Sequence, residues 1–561
     1  MFHIRKLTSL FRRRDLFFQR LRSTSEIIVT VEQGKLKGKC DADIDGVPFF
    51  SFMGIPYATA PTGKLRFKPP QPVQKWKGVL DATKDGDCCV SFQMVVTGKG
   101  IGLELGGCED CLVLNVFTHQ LFQSDKDKLK PVMVFVHGGA FITGSSRRIL
   151  YGPEFLMTED IVLVTINYRV ACLGFLVIED PSLGVTGNAG LKDQLEALKW
   201  VQRNIDQFGG DPCNVTLFGN SAGAASVHYL MLSPHSKGLF HKVILQSGTT
   251  LCPWTRGINN AKDLVQKLGC NETNNEKLLT LLQEVSAQEL LIAEQKMPQH
   301  GLSPSFKRPL GPTVEAKTPD ALLIQEPLDI LKSGTYNHVP MILGYCSIEC
   351  VLAFMDDQIF ITEFDDLVPY YYGIPKGSTQ HKDLNTKIAQ FYFKKDSPDK
   401  NDRLNFTNYF SDAVFINGVY QSLQLHRKFS QKPIYYYRVS LDTDYNLFKK
   451  MVKVDFKGAA HGDCMSYLFK IQARGLKKGT IEEKCVRRFV KMWANFARCG
   501  SPVPEKNSLL DCEWRPVGQD CLNYLEIDTE LKDGVDPDIE RMKFWDEINK
   551  SFPICMNLTP E

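Results

Sequence analysis

Six short apolar runs, each closed by turn residues, recur along the chain at residues 132–136, 161–168, 215–218, 242–245, 339–343 and 433–439. None alternates polar with apolar positions, so each predicts a strand covered on both faces, as in a parallel sheet. Helical patterns lie between them. The clearest sets Leu191, Leu195, Leu198, Val201 and Ile205 at spacings of three and four and closes on Gly209-Gly210-Asp211-Pro212. Buried strands alternating with amphipathic helices predict an α/β fold, a large and mostly parallel sheet flanked by helices. Residues 26–38 read instead as an antiparallel hairpin. Residues 255–335 are mostly helical and Pro-interrupted, which suits a cap over one edge of the sheet. With no repeat, low-complexity tract or long linker, residues 25–555 are expected to form one unit behind a leader at 1–24.

Composition changes this picture little, and charge changes it at one end. The 561 residues are 43% apolar and 23% charged, which excludes a disordered, collagen-like or coiled-coil chain. The formal net charge is +3, but residues 1–22 hold seven basic groups and one acidic group, leaving 60 basic and 63 acidic groups elsewhere. The body therefore has no charge basis for binding nucleic acid. Drawn as a helix, the leader gathers Ile4, Leu7, Leu10, Phe11, Phe17, Phe18 and Leu21 on one face with most of its Arg residues opposite. That pattern suits a mitochondrial presequence or contact with a membrane or lipid surface; a solvated extension is the alternative. The most apolar stretch, 161–178, is interrupted by Asn167 and Arg169, so no membrane-spanning segment is expected. Seventeen Cys is an odd number and far below a disulfide scaffold's density, and no secretory signal is legible. The expected location is intracellular, cytoplasmic and reducing, with most thiols free.

In an open parallel sheet a ligand sits beyond the carboxyl ends of the strands, so the candidate chemistry is sought after each apolar run. Residues 215–218 lead into Gly219-Asn220-Ser221-Ala222-Gly223 and then a helix-compatible stretch. This is G-x-S-x-G with a strand before and a helix after, a sharp turn that presents a serine as nucleophile. Residues 132–136 lead into His137-Gly138-Gly139-Ala140-Phe141, where the N–H groups of Gly139 and Ala140 would join that of Ala222 as an oxyanion hole. His137 reads as structural. A serine needs a base and the base an orienting carboxylate, in the chain order Ser, acid, His. Of the histidines after Ser221 (228, 235, 241, 300, 338, 381, 426 and 461), only His461 has a loop setting, Gly458-Ala-Ala-His-Gly-Asp463, after the last apolar run. His228 reads as a packed helix residue. Glu349 lies just past the run at 339–343, with Asp356 and Asp357 as more distant rivals.

The chain resembles the type-B carboxylesterase/cholinesterase family of α/β-hydrolases, nearest its insect alpha-esterase branch. The resemblance runs from about Val29 to Ile527 and rests on Phe52-Met-Gly-Ile-Pro-Tyr-Ala58, Glu109-Asp-Cys-Leu-Val-Leu-Asn-Val116, Asn188-Ala-Gly-Leu-Lys-Asp-Gln194, Phe208-Gly-Gly-Asp-Pro212, Gly311-Pro-Thr-Val-Glu315 and Ala460-His-Gly-Asp463. It implies a triad of Ser221, Glu349 and His461 hydrolysing small apolar carboxylic esters through an acyl-enzyme, with no metal and no organic cofactor. It implies a supporting hydrogen bond from Ser247 near the triad, with a helix or turn cap as the alternative, and an acyl pocket lined by Trp254, for which a plain core position is the alternative. Three departures stand out: Asn220 where the family has Glu, Ala140 for the third Gly of the oxyanion loop, and Cys350 for the Gly after the acid. With a negative φ at Ala140 its methyl would narrow the acyl pocket. The resemblance also implies a disulfide from Cys111 to Cys88 or Cys89, and a second from Cys270 whose partner in residues 277–285 is missing. The Trp that cholinesterases carry before the Glu-Asp-Cys motif is absent from residues 90–107, which argues against choline esters. Non-catalytic binding members of the family have lost the triad; here all three residues remain. A slow stoichiometric ester or organophosphate scavenger would share the same residues.

Overall fold

The computed structural model describes residues 26–97, 100–122, 128–257, 261–297, 308–354, 366–396, 398, 402–452, 454–471 and 475–554. The leader, Asp356 and Asp357 lie outside these residues. The strands in chain order are β1 (Ile27–Val31), β2 (Gly34–Ala42), β3 (Pro48–Pro56), β4 (Val79–Asp81), β5 (Ser91–Thr97), β6 (Gly100–Gly106), β7 (Val113–Thr118), β8 (Lys130–Val136), β9 (Val162–Ile166), β10 (Gly210–Asn220), β11 (Lys242–Gln246), β12 (Met341–Cys346), β13 (Ile434–Val439), β14 (Asn523–Ile527) and β15 (Leu531–Val535). Among the described residues, thirteen of them form one sheet in the order β1-β2-β3-β7-β9-β8-β10-β11-β12-β13-β14-β15, with β4 on β2. The run from β9 to β14 is parallel throughout. Its two ends are finished by antiparallel strands. This is the expected mostly parallel α/β sheet. The expected hairpin is there too, as β1 and β2 with Val31 opposite Gly34.

All six apolar runs become strands of the parallel core because both of their faces are covered. Val132, Val134 and Val136 pack with Val162, Val164, Val215 and Leu217 on one side of the sheet. Met133 and Phe135 pack with Leu163, Phe218 and Ile244 on the other. The helices Ala189–Asn204 and Ala222–Leu232 cover the first side, and Ile481–Cys499 covers the second. Ala189–Asn204 is more deeply buried than an amphipathic helix, since its polar residues find partners inside. Asp193 accepts from Arg169 Nη2 at 2.6 Å, Lys192 pairs with Glu315 at 2.6 Å, and Gln194 Nε2 donates to Ser226 Oγ at 3.1 Å. Among the described residues the cap region holds four α-helices, Ala261–Lys267, Asn275–Glu284, Ala287–Gln295 and Pro327–Ser333. The first three pack on Ala171–Phe175 in a separate apolar cluster. No helix among the described residues is long and apolar enough to cross a membrane. One disulfide, Cys89–Cys111, settles the alternative left open at Cys88 or Cys89, and fourteen described cysteines are free.

Candidate active site

The order of the parallel strands reverses at β8, because the chain passes from β8 to β9 on one side and then to β10 on the other. The crevice beyond such a reversal is where open α/β sheets bind ligands. There β10 ends at Asn220, and the helix Ala222–Leu232 starts two residues later. Ser221 between them takes φ 59° and ψ −124°, a conformation that costs an L-residue roughly 1–3 kcal/mol. The surroundings hold it there. Ser221 N–H donates to the Gln246 carbonyl at 2.8 Å, and its own carbonyl accepts from Ala225 N–H at 2.9 Å. Gly223 is needed because a Cβ there would lie 2.0 Å from the Val136 carbonyl oxygen. A Cβ on Gly138 would lie 2.8 Å from the Asn220 carbonyl oxygen, so the loop after β8 touches the serine turn along bare backbone.

That loop carries three consecutive residues with positive φ: Gly139 at 117°, Ala140 at 59° and Phe141 at 64°. The negative φ on which a pocket-narrowing methyl at Ala140 was conditional is not met, so that narrowing does not follow. Nothing in the residue type signals this, since Ala rarely adopts the left-handed region. Ile142 and Thr143 N–H both bond the Gly139 carbonyl at 3.0 Å, and Ala171 N–H bonds the Phe141 carbonyl at 2.7 Å. The N–H groups of Gly139 and Ala140 have no protein acceptor among the described residues. Ala222 opens its helix, where N–H groups also lack intrahelical acceptors. His137 is buried, stacked on Tyr168 with ring centroids 4.3 Å apart, and burial lowers its pKa to about 4. A neutral ring serves the structural part expected of it.

Glu349 begins a short 3₁₀ turn, Glu349–Phe354, three residues beyond the end of β12. Its carboxylate is fully buried and accepts twice. Cys346 N–H reaches Oε1 at 2.7 Å, and His461 Nδ1 lies 2.6 Å from Oε2. The main chain doubles the link, with His461 N–H donating to the Glu349 carbonyl at 3.2 Å. Cys350 has φ −93° and needs no glycine, so the acid keeps its place. Asp463 shapes the histidine loop by accepting from Ala460 N–H at 2.8 Å and Phe448 N–H at 2.7 Å, while burial raises its pKa to about 6. With Nδ1 facing a carboxylate, the imidazole carries its proton on that nitrogen, which leaves Nε2 free to accept one.

The remaining expected residues fall around this frame. Asn220 Nδ2 donates to the Gln246 carbonyl at 3.2 Å, tying the serine turn to β11. Ser247, with φ 57°, sends its hydroxyl to Cys346 Sγ at 3.9 Å. It thus touches the residue whose N–H holds Glu349, rather than a triad side chain. Trp254 is buried, and its Nε1 donates to the Val414 carbonyl at 3.1 Å. Its ring lies 6.3 Å from Phe141 and 5.4 Å from Phe415, and Phe415 lies 4.5 Å from His461. An aromatic wall therefore runs from the glycine loop to the imidazole. Phe415, which sequence reasoning missed, sits in a π-helical turn, Asp412–Ile416, that has no sequence signature. Among the described residues no group of acidic, His or Cys side chains has the arrangement of a metal site.

The profile of the Carboxylesterase family matches residues 25–545. The chain belongs to this family. As a carboxylesterase-family member it is a carboxylic ester hydrolase. It is 32% identical to Esterase B1 of Culex pipiens over 93% of this chain and 98% of that protein. It is 31% identical to a juvenile hormone esterase of Tribolium castaneum over 86% and 85% of the two chains. The crystal structure of juvenile hormone esterase from Manduca sexta, with OTFP covalently attached, superposes with a TM-score of 0.82 at 30% identity. It covers 94% of this chain and 100% of that one.

Proposed function

We propose that this carboxylesterase works by a serine acyl-enzyme mechanism on esters with an apolar body. Ser221 Oγ attacks the ester carbonyl carbon while its proton passes to His461 Nε2, and Glu349 holds the imidazole in the tautomer that can accept it. The N–H groups of Gly139, Ala140 and Ala222 take the negative charge of the tetrahedral intermediate. His461 then returns the proton to the departing alkoxide oxygen, the C–O bond breaks, and the alcohol leaves. Water, deprotonated by the same imidazole, hydrolyses the acyl-enzyme to the free acid and restores Ser221.

The observation that carries this reading is the 2.6 Å contact between His461 Nδ1 and a Glu349 carboxylate that is otherwise fully buried. The strained serine at the end of β10 and the free N–H groups of the neighbouring loop supply the other parts. The wall of Phe141, Trp254 and Phe415 favours apolar groups near the reacting carbon. The test is turnover of a p-nitrophenyl ester series by the full chain and by Ser221→Ala. Loss of turnover in the variant supports the reading, and full activity refutes it. A burst of one p-nitrophenolate per chain with no steady state would instead identify a stoichiometric scavenger.

A further inference from the structure

Arg308 is a partly buried basic side chain whose surroundings the esterase reading leaves unexplained. Its backbone bridges to Gly257, just after the turn that carries Trp254, and Gly257 N–H bonds the Pro312 carbonyl at 3.2 Å, so its position is fixed. From there the guanidinium crosses to the oxyanion loop, where Nη1 donates to the Ala140 carbonyl at 2.5 Å. Its Nε is buried with no hydrogen-bond partner.

The buried arginines of this region are each matched by an acid. Arg66 pairs with Glu109 at 2.6 Å, Arg169 with Asp193 at 2.6 Å, and Arg256 with Glu326 at 2.8 Å. Among the described residues Arg308 has no carboxylate partner. Burial works against its charge and lowers its pKa to about 10, and the nearby Tyr370 hydroxyl is already engaged, donating to the Pro253 carbonyl at 2.7 Å. A guanidinium keeps its charge in a protein, and a charge drawn away from water without a counter-ion is disfavoured. A neutral donor would serve the Ala140 carbonyl equally well, so loop support alone does not account for a cation here.

We propose that Arg308 is an anion-recognition residue of the active site, and that the enzyme takes esters whose acyl chain bears a carboxylate, such as half-esters of dicarboxylic acids. The inference rests on the Ser221 reading and narrows its substrate class to an apolar body with an anionic end. The guanidinium lies no more than about 6 Å from the Ala140 N–H, since N and O of one residue are within about 3.7 Å of each other. A carboxylate a few methylenes from the ester carbonyl spans that gap. Hydrogen bonds to charged groups contribute enough to change rates by about tenfold to hundredfold.

The test compares kcat/KM for mono-p-nitrophenyl glutarate and p-nitrophenyl pentanoate, which share a leaving group and differ in charge at the chain end. In Arg308→Gln, which keeps a donor for the Ala140 carbonyl, the glutarate-to-pentanoate ratio is expected to fall at least tenfold. Arg308→Lys should restore most of it, and added salt should slow the glutarate ester alone. A purely supporting side chain would lower both esters together, so a ratio unchanged in Arg308→Gln overturns the proposal whatever the absolute rates. If Arg308→Gln does not fold, inhibition of the parent enzyme by pentanoate against pentanamide replaces it, and equal inhibition overturns the proposal. If Ser221→Ala leaves the pentanoate ester rate untouched, it is the serine reading that falls. Arg308 is then judged by calorimetric binding of pentanoate and pentanamide, where a tenfold preference for pentanoate lost in Arg308→Gln upholds it and equal binding refutes it.

Discussion

Replacing Glu349 by Gln changes one atom in a site that has room for only one arrangement of donors. In the parent protein both carboxylate oxygens accept, one from Cys346 N–H at 2.7 Å and one from His461 Nδ1 at 2.6 Å. An amide offers a single oxygen. If that oxygen stays on Cys346, the NH₂ faces His461 and favours the tautomer with its proton on Nε2, which can no longer accept from Ser221. If the amide flips, two donors meet at Cys346, where burial makes an unpaired N–H cost about 1–3 kcal/mol. Either route removes the anion that steadies the imidazolium, and the corresponding acid-to-amide change in a serine triad lowers kcat by about 10⁴. The expected loss in Glu349→Gln is thus about 10³–10⁴ in kcat/KM for p-nitrophenyl butyrate, equivalent to roughly 4–5.5 kcal/mol. Glu349→Asp draws the carboxylate back by about 1.5 Å, beyond a hydrogen bond to Nδ1, and should fall between parent and Gln. Steady-state kinetics with circular dichroism as a folding control measures this. Activity of Glu349→Gln within threefold of the parent would refute the reasoning.

Two further outcomes follow from the packing. His228 and His426 share a buried bond between their Nε2 atoms at 2.8 Å, with Thr250 N–H donating to His228 Nδ1 and Tyr336 Oη at 2.8 Å from His426 Nδ1. Burial lowers the pKa of His228 to about 3 and that of His426 well below the ordinary value, so the folded chain keeps both neutral while the unfolded chain protonates them below about pH 6.5. Stability is therefore lost as pH falls, by about 1.4 kcal/mol per pH unit per ring between pH 6 and 4. His228→Asn should gain on the parent by about that slope in denaturation midpoints taken across the range, and parallel profiles would count against the pair. Gly223→Ala gains helix propensity but sets a methyl 2.0 Å from the Val136 carbonyl oxygen, so it should destabilise the fold by about 1–3 kcal/mol and cut kcat/KM at least tenfold. A melting temperature and rate equal to the parent's would contradict the tight elbow.

Much of the site was legible because its chemistry hangs on strand ends, and buried parallel strands announce themselves as unbroken apolar runs. Ser221 follows β10, the glycine loop follows β8 and Glu349 follows β12, so local pattern and chain order reached the same residues. The antiparallel flank was less legible. β7 is fully buried yet carries Asn115, whose amide bonds Ser146 and Thr165, and that polar residue hides the strand in the sequence. The conformation of Ala140 escaped because its φ is imposed by neighbours that hold Gly139 and Phe141. Arg308 and Phe415 escaped for a related reason, since each meets the site across a long stretch of chain through contacts that no local spacing encodes.

The most direct test of the account is mass spectrometry of the full-length protein after inactivation by a dialkyl organophosphate. One phosphoryl adduct per chain, confined to the peptide containing Ser221 and rising in step with the loss of esterase activity, is the predicted result. Complete inactivation with Ser221 unmodified would contradict it.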